Sequence, residues 1–208
     1  MKVDHGLEEY GWNSADATQD HAYTFPAIAS LLPSSSGRGM SILDAGCGNG
    51  NIAGRLAALG YQVVGIDLSE DGIEIAKKAH PKARFAVASV YDDLSSIVEP
   101  VDIVVSSEVI EHLYYPQRYL KNMASLIKPG GVIILNTPYH GYVKNLALSL
   151  FNYWDKHHTV DWEGGDIKFF SERTLKRMLK ESGFSNIVFN NAGRMPYLWK
   201  SMVCRAEK

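Results

Sequence analysis

Two hydrophobic periods alternate along this chain. Short apolar runs at Ser41–Ala45, 61–66, Arg84–Val87, 101–106 and 131–136 are bounded by Gly, Asp, Ser or Pro and read as strands. The run at 61–66 is near-continuous, as in a strand covered on both faces. Between the runs, apolar residues recur at helical spacing over 51–59 (Ile52, Leu56, Leu59), 70–79, 116–127 and 171–182. Ser69 with Asp71 supplies the start of the second of these helices; Ser171 with Thr174 opens the last, and Gly183 closes it. Strands alternating with helices predict an α/β fold, a doubly wound, Rossmann-like, largely parallel sheet with helices on both faces.

Three stretches fall outside that alternation. Residues 21–32 place Phe25, Ile28, Leu31 and Leu32 at helical spacing, with Pro26 marking the start of the regular part, and 33–39 is a Ser/Gly linker. Residues 1–20 are polar with isolated aromatics, Tyr10 and Trp12, and read as a flexible N-terminal segment, either disordered or a flap that orders over a ligand. Residues 138–170 carry Tyr139, Tyr142, Phe151, Trp154, Trp162 and Phe169 with His140, His157 and His158, and 143–154 fits an amphipathic helix. A connection of this length at the carboxyl side of a parallel sheet overhangs the ligand crevice and reads as a lid or substrate insertion before the last main helix.

Composition narrows the function classes. A 208-residue chain with 46% hydrophobic and 21% charged residues has the content for one globular domain, 1–208. The net charge of −2 and the absence of a dense Lys/Arg run give no reason to expect a long nucleic acid or an anionic membrane as partner. A small-molecule substrate is expected, and oligomeric state is not encoded in the pattern. Two cysteines, Cys47 and Cys204, cannot build a disulfide framework, and no stretch has signal-peptide or membrane-spanning length, so a cytoplasmic protein without membrane insertion is expected.

The densest chemical signal is Ser41-Ile-Leu-Asp-Ala-Gly-Cys-Gly-Asn-Gly50, a strand that ends in a carboxylate and passes through alternate glycines into a helix. Such a turn lets a ligand lie against bare main chain at the positive end of the helix. The dinucleotide fingerprint needs a small residue where this chain has Asn51, which argues against a nicotinamide oxidoreductase. Asp44 would repel a pyrophosphate and suits a cationic amino group or a sulfonium.

The blocks DAGCGNG at 44–50, VVGIDLS at 63–69, SSEVIEH at 106–112 and LIKPGG at 126–131, in this order and spacing, resemble the class I S-adenosylmethionine-dependent methyltransferases, over roughly residues 20–208. The resemblance implies a seven-stranded sheet whose final strands are 186–190 and 202–205, one of them antiparallel. It implies S-adenosyl-L-methionine as cofactor, with Asp44, Gly46, Cys47, Gly48 and Gly50 at its amino-acid end and Ser107 and Glu108 beside the methionine part. Asp67, at the end of the second strand, is placed to take both ribose hydroxyls. Leu68, Val90 and Tyr91 are expected around the adenine, with Asp92 near its exocyclic amine.

The stretch Glu108-Val-Ile-Glu-His112 is similar to the block of ubiquinone-biosynthesis O-methyltransferases and of enzymes that methylate the terminal ribose of small RNAs. That likeness implies O-methylation of a small-molecule hydroxyl, His112 and Glu111 as catalytic residues, and Glu108, Glu111 and His112 as ligands of a divalent metal such as Mg²⁺. A helical turn beginning at the strand end would bring the three to one side. The chain departs from the pattern at 162–170, where Asp166 stands in the place of a histidine; it either completes a Mg²⁺ site or the metal is absent and His112 acts alone as base. A non-catalytic cofactor-binding module is the other alternative.

Overall fold

The computed structural model describes residues 11–18, 20–33, 39–158 and 164–208; Tyr10, most of the 33–39 linker and Trp162 lie outside them. Five parallel strands, β1 (Ser41–Ala45), β2 (Gln62–Asp67), β3 (Arg84–Val87), β4 (Val101–Ser107) and β5 (Ile127–Pro138), share one sheet with β6 (Ser185–Ala192) and β7 (Ser201–Glu207). The order is β3-β2-β1-β4-β5-β7-β6, with β7 antiparallel to both of its neighbours, as the seven-stranded, mostly parallel expectation requires.

Successive side chains of a strand face opposite sides, and here both sides are apolar. Ile42, Ile103 and Ile134 point to one layer, with Phe25 and Ile28 of α1 (His21–Leu31) and Ile52 and Leu56 of α2 (Asn51–Ala58). Leu43, Val104, Ile133 and Leu135 point to the other, with Leu120 and Met123 of α4 (Pro116–Leu126) and Leu175 and Leu179 of α7 (Glu172–Glu181). The sheet is therefore covered on both faces, and α3 (Glu70–Ala79) packs beside α2 against β2 and β3. Ser69 caps α3 by accepting from Gly72 N–H, and Ser171 with Thr174 forms a capping box on α7.

Three element expectations are corrected. α1 begins at His21 and carries Pro26 inside it. The missing N–H removes only the bond to Ala22, which like Pro26 is on the exposed side, while Phe25 and Ile28 on the opposite side are buried. β5 starts at Ile127, before the Pro129-Gly-Gly stretch, because the register to β4 shifts there instead of breaking. The single helix expected at 143–154 is two, α5 (Tyr142–Leu150) and α6 (Trp154–His158), separated at Asn152, whose φ of +55° is a left-handed turn that asparagine tolerates. No helix among the described residues is long and apolar enough to cross a membrane.

β1 has β2 on one side and β4 on the other, so the chain winds outward in opposite directions from this pair. A crevice opens at the carboxyl ends of strands where the winding reverses. The residues expected to carry chemistry stand at those ends.

Candidate active site

A cavity of about 480 Å³ occupies the crevice, walled by the ends of β1, β2 and β4 and by Trp12, Thr18, Asp20 and His21. Gly46 and Cys47 N–H both donate to the Ile66 carbonyl, at 2.8 and 2.9 Å, which ties the glycine turn to the end of β2. Asp67 completes the junction, accepting from Gly48 N–H at 2.8 Å with one oxygen and from Ser69 N–H at 2.9 Å with the other. Its carboxylate faces the cavity with its position already set.

Asp44 is 1% exposed and lines the same cavity, and its Oδ2 has no hydrogen-bond partner among the described residues. Burial, and then the nearby Asp67, push its carboxyl up to about 7. A desolvated carboxylate with an unsatisfied oxygen demands a donor, and a cationic one would restore its charge. Cys47 also lines the cavity, but burial raises its thiol well above the usual range, which suits a small packing residue and not a nucleophile.

Gly46, Gly48, Asp67, Leu68 and Val90 line the cavity as expected from the sequence, and Ser107 and Glu108 lie at its far side. Gly50 does not. A Cβ there would meet Ala76 Cβ at 2.6 Å and the Phe85 ring at 3.0 Å, so this glycine lets α2 approach α3 and β3. Tyr91 is a second correction: it is buried outside the cavity, and its hydroxyl accepts from Tyr115 N–H at 3.0 Å. Asp92 accepts from Ser89 N–H at 2.8 Å and closes the 88–92 turn instead of facing the cavity. The tight turn presents Ala88 and Val90 to the ligand space and turns Tyr91 away.

At the other end the expected side-by-side arrangement of Glu108, Glu111 and His112 is altered by one backbone conformation. Glu108 has φ +55°, and the 3-10 turn that follows, Ile110–His112, starts two residues beyond it. Glu108 instead reaches across the sheet, accepting from Asn136 Nδ2 at 2.6 Å and from Ser201 Oγ at 3.3 Å. Glu111 is fully buried; Thr137 Oγ1 donates to its Oε2 at 3.0 Å, and its carboxyl meets that of Glu108.

Asp166 joins Glu111 and His112 from the insertion, while the Glu108 carboxyl stays against that of Glu111. Ile167 and Lys168 N–H donate to the Glu111 main-chain carbonyl at 3.0 and 2.9 Å, which docks the end of the insertion on the 3-10 turn. That docking brings the Gly165 carbonyl to 3.2 Å from His112 Nδ1 and the Asp166 carboxylate to 3.9 Å from His112 Nε2. Nδ1–H donation to Gly165 places the imidazole lone pair on Nε2, the atom toward Asp166. One ligand atom from each of Glu111, His112 and Asp166 lies within 4.8 Å of the others. Burial first, and then neighbouring carboxylates, raise the carboxyls of Glu108 and Glu111, and burial raises Asp166. Two hard carboxylates and one imidazole at this spacing suit a divalent cation or a proton-transfer site.

The sequence reading did not single out Asn49, Asp20 or His21, all of which line the cavity, and it treated Trp12 only as an isolated aromatic. Asp20 and His21 stand at the start of α1, and only the packing of that helix on the sheet brings them to the site.

Over residues 17–188 the chain matches the family described as Methyltransferase domain, and it belongs to that family. Among its relatives, the ubiquinone biosynthesis O-methyltransferase of Dinoroseobacter shibae is 30% identical over 158 residues, covering 72% of this chain and 62% of that protein. The protein of the same name from Coxiella burnetii is 36% identical over 103 residues, covering 48% of this chain and 44% of its own length. The chain thus spans less than two thirds of either relative. The fold recurs in magnesium protoporphyrin IX methyltransferase from Synechocystis, crystallised with bound SAH, at TM-score 0.69 and 18% identity over 88% of this chain and 81% of that one. It recurs also in an S-adenosylmethionine-dependent methyltransferase from Mesorhizobium loti, at TM-score 0.66 and 18% identity over 94% of this chain and 100% of that one.

Proposed function

We propose that this protein transfers a methyl group from S-adenosyl-L-methionine to a hydroxyl of a small molecule. The observation that carries the reading is the pairing, in one cavity, of an unsatisfied buried carboxylate at a glycine turn, Asp44, with His112 and Asp166 at the opposite end, where the fully buried Glu111 completes their cluster. The names of the curated relatives support a hydroxyl acceptor.

When bound, the cofactor supplies an electrophilic methyl on a sulfonium, open to direct displacement. Asp44 and the main chain of the glycine turn hold the ammonium and carboxylate end, Asp67 accepts from the ribose hydroxyls, and Leu68, Ala88 and Val90 provide the apolar slot for the base. The acceptor hydroxyl lies against His112, whose Nε2 removes its proton while the Nδ1–H bond to Gly165 holds the ring. Alternatively, Glu111, His112 and Asp166 would hold a divalent cation such as Mg²⁺, with His112 Nε2 then a ligand instead of the base, and the cation would supply Lewis-acid stabilisation of the acceptor oxyanion. The 138–170 insertion, which contributes Pro138 and Asp166 to the cavity, acts as the acceptor-side lid.

Incubation with methyl-labelled cofactor and a panel of phenols, catechols, sugars and carboxylates is expected to place label on a hydroxyl compound. Stabilisation by NAD and not by S-adenosylmethionine in thermal shift would overturn the assignment, and tight cofactor binding with no acceptor labelled would favour the non-catalytic module. Asp67→Ala is expected to weaken cofactor binding by about 1–3 kcal/mol in calorimetry through loss of charge-assisted hydrogen bonds. Unchanged affinity would remove Asp67 from the ribose site.

A further inference from the structure

We propose that residues 11–18 form a latched strap over the cofactor cavity, with Trp12 as a wall residue that contacts bound cofactor and Asn51 as the latch that sets its rate of release. The inference rests on the methyltransferase reading and adds to it a cofactor-retaining element that lies outside the glycine turn and the strand ends.

The bed for the indole is built from two separate elements. A Cβ on Gly48 would lie 2.4 Å from Trp12 Cζ2, and a Cβ on Gly72 would lie 2.8 Å from Trp12 Cδ1 and 3.0 Å from the Gly48 carbonyl oxygen. Gly72 sits inside α3, where no turn calls for a glycine and where an alanine is ordinarily the better helix former. Its missing side chain is the space in which the indole and the glycine turn meet α3. Trp12 lines the cavity together with Thr18, Asp20 and His21 further along the chain, so the strap reaches the cavity at its Trp12 end and again near the start of α1.

The strap is held by side-chain amides at the head of α2. Asn49 Nδ2 donates to the carbonyls of Ser14 and Asp16 at 2.9 and 3.0 Å, and Asn51 Nδ2 donates to the carbonyl of Ala15 at 3.1 Å. Three successive strap carbonyls are thus engaged by two asparagines, and Asn49 is 2% exposed. Asn51 occupies the position at which the dinucleotide fingerprint has a small residue. Its amide serves the strap, which gives the departure from that fingerprint a structural purpose. A cofactor seated on Gly46, Gly48 and Asp67 lies beneath this wall, and it leaves only when the wall lifts.

Asn51 is outside the cavity lining, and although its side chain also reaches the lining residue His21, its replacement tests the latch with every lining side chain kept. In stopped-flow displacement of S-adenosylhomocysteine, Asn51→Ala is expected to speed dissociation about 5-fold, the equivalent of one lost hydrogen bond near 1 kcal/mol, with association nearly unchanged. Trp12→Ala is expected to speed it further; binding to the wild type is expected to change tryptophan fluorescence, and Trp12→Phe to remove that change. In the free protein, hydrogen exchange at residues 14–16 is expected to rise in Asn51→Ala with the melting temperature little altered. Wild-type dissociation rates in both Asn51→Ala and Trp12→Ala, with S-adenosylhomocysteine still bound, would overturn the strap and leave the methyltransferase reading in place. Failure of the wild-type protein to bind S-adenosylhomocysteine in calorimetry would overturn both.

Discussion

Replacing His112 with alanine is expected to lower kcat by about 10²–10⁴ while leaving the cofactor dissociation constant close to that of the wild type. The imidazole is oriented by the Gly165 carbonyl at 3.2 Å, and its Nε2 lies 3.9 Å from Asp166, beside the cavity in which the proposed acceptor would lie. Chelation divides the two ways in which this cluster can act. If Glu111, His112 and Asp166 hold a divalent cation, EDTA abolishes turnover and Mg²⁺ restores it, and Asp166→Asn is then as damaging as His112→Ala. If His112 works alone as base, turnover survives EDTA and falls only with the imidazole. Activity indifferent both to chelation and to loss of His112 would reduce the block to structure and move the acceptor from a hydroxyl to a group already ionised, such as a carboxylate.

Gly48→Val is expected to weaken cofactor binding by on the order of 10²-fold, measured by calorimetry with S-adenosylhomocysteine. The position has φ +50°, where a β-branched residue carries strain of about 1–3 kcal/mol. Its Cβ would also collide with the Trp12 ring at 2.4 Å, which lifts the strap from its bed. Gly50→Val separates ligand contact from packing. At Gly50 the added side chain strikes Ala76 and Phe85 instead, so the expected result is a lower melting temperature from parting α2 and α3. An unchanged affinity in a folded Gly48→Val protein would show that the ligand does not lie against this turn.

Much of the architecture was legible because it rests on local rules. Hydrophobic runs and helical spacing placed the five parallel strands and the helices α2, α3, α4 and α7 nearly where they are, since a strand covered on both faces and a helix covered on one leave different periods in the chain. Ser69 and Ser171 marked their helix starts because capping is a contact between residues three apart. Pro26 misled for a related reason: the local signal of a proline was weaker than the burial of Phe25 and Ile28 on the sheet.

The candidate site divides in the same way. The sequence by itself determined the glycine turn, Asp44 and Asp67, because each stands at a strand end whose position follows from the period of its own strand, and with them the family to which the chain belongs. Only the tertiary structure decided which carboxylates meet His112. Spacing along one helical turn proposed Glu108, whose carboxyl meets Asn136, Ser201 and Glu111, and backbone hydrogen bonds from Ile167 and Lys168 bring Asp166 to His112 as a further carboxylate. The same holds for Trp12, whose contacts with Gly48 and Gly72 join residues far apart in the chain through shape alone. Periodicity reports which face of an element is buried, whereas partners across a cavity are chosen by how whole elements dock, which no local pattern encodes.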